Sequence, residues 1–106
     1  MKNWDIHPEA ELELEEAIAN YLSIDENLAY SFDEHYTTCR NEIVADPLRF
    51  SLRRPPIRRV NLTPRFGAYY IAYMIWKDKP IILAVAHGSR NPYYWSHRIV
   101  ESKKLF

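Results

Sequence analysis

Glycine is almost missing from this chain, with 2 in 106 residues. Loops that cradle phosphate need several glycines so that backbone can approach the anion closely. Gly-rich nucleotide-binding loops are therefore excluded. Cysteine is scarcer still. The single Cys39 can build neither an internal disulfide nor a cysteine-based zinc cluster. It reads as a small apolar helix residue in a reducing environment. No apolar run reaches the ~18 residues of a membrane span. The opening Met1-Lys2-Asn3-Trp4-Asp5 lacks the apolar stretch of a signal peptide. These absences predict a soluble, cytoplasmic protein with no membrane partner.

Hydrophobic residues make up 47% of the chain and aromatics 14%, a globular composition. The length fits one domain, residues 1–106, with a modest core that hides roughly 60–70% of the unfolded surface. The net charge of zero conceals a division. Residues 1–48 hold 12 acidic and 2 basic side chains, a balance of −10, and residues 49–106 hold 2 acidic and 12 basic, a balance of +10. Either the C-terminal half presents an anion-facing surface, or the two halves pair across the fold.

The hydrophobic period changes once along the chain. Trp4 to His7 alternates as a short strand and stops at Pro8. Pro8 with Glu9, Glu11 and Glu13 marks a helix start, and Ala10, Leu14, Ala17, Ile18, Tyr21 and Leu22 form one apolar stripe over 9–24. A second helix is predicted over 27–45, with Leu28, Phe32, Tyr36, Cys39 and Ile43 facing inward. The short link makes the pair an antiparallel hairpin. After a proline-bounded loop the period becomes two. Strands are expected over 57–62, 68–76 and 81–87, the last nearly continuously apolar and so central and covered on both faces. The fold class is α+β in the order β-α-α-β-β-β. The helical hairpin is expected to cover one face of a small antiparallel sheet, leaving the other face open beside the basic residues.

This element order resembles the ParE/RelE toxins. The resemblance rests on Trp4-Asp5-Ile6-His7-Pro8 with Glu9-Ala10, on Arg58 to Leu62 followed by Arg65-Phe66 and Tyr69 to Tyr73, and above all on one segment. That segment, Ile82-Leu83-Ala84-Val85-Ala86-His87-Gly88-Ser89-Arg90-Asn91-Pro92, is followed by Trp95 and Arg98. The resemblance implies the toxin of a type II toxin–antitoxin pair, neutralised by a cognate antitoxin. Within the superfamily RelE-like members cleave mRNA on the ribosome, and ParE-like members are associated with poisoning DNA gyrase. The ParE-like branch is the leading expectation, with gyrase as target. A ribosome-dependent mRNA endonuclease and a degenerate toxin that only binds antitoxin are the alternatives.

RNA cleavage through a 2′-OH needs a base, a cation for the phosphorane and an acid for the leaving oxygen. The resemblance sets Tyr70 where a nuclease of this kind has a cation, Ser89 where it has an arginine, and Trp95 where it has a tyrosine. Indole donates a hydrogen bond but is no acid near neutral pH. If the protein is a nuclease, the remaining candidates are His87 as base or acid and Arg65, Arg90 and Arg98 as phosphate holders. The plainer alternatives are a strand-end histidine bonded to the tail and arginines that anchor the C-terminal segment. Arg53, Arg54, Arg58 and Arg59 place four guanidinium groups in seven residues. With Tyr70 and Trp95 they are candidates for binding target or antitoxin, or else a solvated edge. His7 reads as structural. His35 and His97 have no evident partner, and no metal or cofactor is expected.

Overall fold

The computed structural model describes residues 3–106. Met1 and Lys2, part of the opening stretch considered above, lie outside the described residues. The elements in chain order are β1 (Asp5–Ile6), α1 (Pro8–Leu22), α2 (Glu26–Ala45), β2 (Leu52–Arg54), β3 (Ile57–Asn61), β4 (Tyr69–Trp76), β5 (Lys79–His87) and α3 (Arg98–Leu105). They form one five-stranded sheet in the order β1-β5-β4-β3-β2. β1 runs parallel to β5, and the other neighbours are antiparallel. No described helix is long and apolar enough to cross a membrane.

Each long helix begins on a residue suited to the task. His7 caps α1, its Nδ1 accepting the Glu9 N–H at 3.1 Å, and Pro8 fills the first helical turn. Asp25 caps α2 through Oδ1, which accepts the Asn27 N–H at 3.1 Å. The two stripes meet as the periodicity predicts. Ala10, Ala17, Phe32, Tyr36, Cys39 and Ile43 are buried in one cluster with Val60, Leu62, Ile71, Tyr73, Ile82 and Val85 of the sheet. Leu22 departs from the expected stripe and is exposed in the last turn of α1.

The β4–β5 hairpin turns on Lys77 and Asp78, both at positive φ (53° and 66°). That pair of conformations is what a two-residue loop needs to match strand twist. β5 therefore starts at Lys79, earlier than expected. Flanked by β1 and β4, it is buried from Pro80 through Ala86, the central strand its apolar run predicts.

Two expectations are corrected. The order β-α-α-β-β-β omits β2 and α3, and the sheet face away from the hairpin is not open. A second cluster covers it: Tyr70, Ala72, Met74, Ile81, Leu83, Ala84 and Ala86 pack with Trp95, and Tyr93, Tyr94, Ile99 and Phe106 close over them. The reason lies in the sheet itself. β4 and β5 are apolar on both faces, so both faces must be covered to leave water. Among the described residues, the C-terminal segment with Tyr93, Tyr94, Trp95, Ile99 and Phe106 covers the second.

Candidate functional site

Strand alternation splits the arginine cluster. Ile57 and Arg59 point to the face covered by the C-terminal segment. Arg58 points the other way, and its Nη1 donates to the carbonyls of Leu48 (3.3 Å) and Phe50 (2.7 Å). Arg58 thus ties down the loop before β2 and takes no part in the groove.

That groove, about 110 Å³ in volume, is lined by Arg53, Ile57, Arg59, Tyr70, Pro92, Tyr93 and Trp95. The Arg59 guanidinium lies 3.8 Å over the Tyr70 ring, and Arg54 lies 4.2 Å over Tyr93. Arg59 Nε donates to Asn61 Oδ1 at 2.9 Å, and guanidinium N–H groups left over from such stacking can meet carboxylate or phosphate. Trp95 Nε1 donates to the Tyr70 hydroxyl at 3.1 Å, and both side chains are buried. The indole N–H of the floor is therefore spent on the Tyr70 oxygen. The groove offers cations and aromatic faces, with no carboxylate or histidine among its lining residues.

The residues considered for nuclease chemistry lie elsewhere, His87 and Arg90 in a cleft whose Glu13 also holds Arg98, and Arg65 apart from them. His87 pairs with Tyr69 across the β4–β5 ladder, one residue out of phase with Tyr70, and so sits on the opposite face of the sheet from the groove floor. Its Nδ1 accepts the Ser89 N–H at 3.1 Å and lies 2.7 Å from Ser89 Oγ. A fixed backbone donor on Nδ1 places the proton of the neutral ring on Nε2. In that tautomer the outward-facing Nε2 is a hydrogen-bond donor, and the lone pair of Nδ1 is engaged with Ser89. Arg65 lies apart from it, over Phe66 in a shallow depression shared with Glu34 and His35.

His87 and Arg90 do share a cleft of about 260 Å³ between α1 and the end of β5. Its wall is organised by Glu13. This carboxylate accepts from the Val85 N–H (3.2 Å), from Arg98 Nη1 (2.7 Å) and Nη2 (3.3 Å), from Arg90 Nη1 (3.4 Å), and from the Tyr94 hydroxyl. Arg98 also donates to the Leu83 carbonyl at 3.0 Å. Burial pulls its pKa down, but the Glu13 hydrogen bond and charge more than offset this and raise it, so Arg98 stays cationic. Burial, reinforced by Glu13, pushes the Tyr94 phenol well above its ordinary range. Arg98 and Arg90 here tie the C-terminal segment to Glu13, with Arg98 buried and its Nη atoms on Glu13 and the Leu83 carbonyl while its Nε has no hydrogen-bond partner.

Sequence reasoning missed Glu13, which it read as one of several glutamates at a helix start. It also missed a cluster formed by Glu9, His97 and Glu101. The last two stand four apart on one helical face, a signal that becomes visible only once α3 is recognised.

No family model matches the chain, and a comparison with curated proteins gives no match either.

Proposed function

We propose that this chain is a ParE-like toxin of a type II toxin–antitoxin pair, acting by binding DNA gyrase and held inactive by a cognate antitoxin. The reading rests on the sequence resemblance described above and on an α+β fold compatible with it. One observation carries the choice of binding over catalysis. The groove of Arg53, Arg59, Tyr70 and Trp95 concentrates positive charge and aromatic surface, with no histidine or carboxylate among its lining residues. Such a surface suits an acidic partner segment, drawn in by charge and held by stacked guanidinium groups.

A second reading, ribosome-dependent mRNA cleavage, draws on the cleft that contains His87, Arg90 and Tyr94. The hydrogen bonding of His87 favours the first reading. Induced expression tests the choice. A gyrase-directed toxin blocks replication and raises DNA-damage signals, whereas a nuclease arrests translation at once. Immediate translation arrest without DNA damage contradicts the proposal.

A further inference from the structure

Three side chains of metal-ligand type converge where the first turn of α1 meets the start of α3. Glu9 stands in the first turn of α1. His97 immediately precedes α3, and Glu101 lies one turn further on. Their donor atoms all lie within 4.8 Å of one another, and His97 Nε2 is 3.8 Å from Glu9 Oε2. The four-residue spacing places His97 and Glu101 on one face of the helix. Helical geometry thus sets two donors, and the packing of α3 beside α1 supplies the third.

A fourth side chain organises the group from beneath. His7 is buried. Its Nδ1 is occupied by the Glu9 N–H, so Nε2 carries the ring proton and donates to Glu101 Oε1 at 2.9 Å. This bond fixes one oxygen of Glu101 and leaves the other directed away from His7. A buried donor that orients a carboxylate in this way is what supports the ligands of metal sites.

We propose that Glu9, His97 and Glu101 form a surface site for a zinc-class divalent cation that staples α3 to the first turn of α1. One imidazole nitrogen with two carboxylate oxygens suits a borderline ion such as zinc. Magnesium and calcium take sites built from oxygen alone. Zinc bonds of about 2.0–2.2 Å put neighbouring donors roughly 3–3.5 Å apart. The three side chains are exposed and close that remaining gap by small rotamer changes, with water completing the shell. The nearest competing cation is Arg98, whose Nη2 contacts Glu9 at 3.2 Å. Its closer partner is Glu13 at 2.7 Å, so the ion can displace the Glu9 contact without stranding the guanidinium. Bound only by the folded chain, the ion stabilises it in proportion to the logarithm of ion concentration. It does so by holding the helix that covers the second face of the sheet.

The test uses the untagged full chain, with zinc titrated by calorimetry and by thermal unfolding, and magnesium as the comparison. One zinc per chain is expected, with a higher Tm in zinc and no response to magnesium. His97→Ala and Glu101→Gln each weaken zinc binding by roughly tenfold or more. Glu101→Gln keeps an acceptor for His7, so its metal-free melting stays near that of the wild type. The proposal is overturned if submillimolar zinc gives neither heat nor a Tm shift. It is equally overturned if zinc binds but neither substitution weakens it, since the ion is then held elsewhere.

Discussion

Glu13 of α1 and Arg98 at the start of α3 meet at 2.7 Å in a part of the fold nearly closed to water, with side-chain exposures of 11% and 5%. This ion pair joins the helical hairpin to the C-terminal segment across the edge of the central strand, and the same carboxylate collects Tyr94, Arg90 and the Val85 N–H. Removing one member of a buried, hydrogen-bonded pair strands the other. Glu13→Ala or Arg98→Ala is expected to cost about 3–5 kcal/mol in urea unfolding. The double variant should cost less than the sum of the two, because the stranded charge is then gone. Additive losses would mean that the pair does not act as a unit.

Alkaline titration should resolve buried tyrosines from exposed ones. Burial pushes Tyr36 and Tyr73 up to about 12, and Tyr94 is also raised. In the unfolded chain these phenols ionise near 10. Their folded-state pKa is raised, so their contribution to stability is complete below pH 10 and is lost as pH rises from 10 towards 12. Urea midpoints should fall over that window while phenolate absorbance lags behind it. All tyrosines ionising together near pH 10 in the folded protein would contradict this.

Arg58 and Arg59 are neighbours with different tasks. Arg58→Ala removes two hydrogen bonds to loop carbonyls and should lower stability by about 1–2 kcal/mol, with little effect on a partner bound at the groove. Arg53→Ala with Arg59→Ala should leave the melting curve nearly unchanged, yet weaken capture of an acidic antitoxin and flatten the salt dependence of association. Copurification with the product of the adjacent gene reads both outcomes. Equal binding by the Arg58 and Arg59 variants would remove the groove from the interface.

The helices and the β4–β5 hairpin were legible because their inward positions are apolar at the proper spacing, from Ala10 to Ile43 and from Tyr70 to Ala86. α3 was not. The residues it buries fully are Arg98 and Ser102, and of its apolar residues only Ile99 packs partly buried on the sheet, too little for a hydrophobic period. β2 has three exposed residues and presents no inward position at all. The site shows the same contrast. The four arginines stood as one candidate set beside Tyr70 and Trp95, and the fold separates Arg58, bound to the Leu48 and Phe50 carbonyls, from Arg59 in the groove. Glu13 looked like any other glutamate of α1, because its role depends on groups 72 to 85 residues away in sequence.

The most direct test of the central proposal compares two assays on the same purified protein: DNA gyrase supercoiling, and ribosome-dependent mRNA cleavage. The groove account predicts inhibited supercoiling that is relieved in Arg53→Ala/Arg59→Ala and unaffected by His87→Ala, with mRNA left intact. Cleavage in the ribosomal A site that disappears in His87→Ala, with supercoiling untouched, would contradict it.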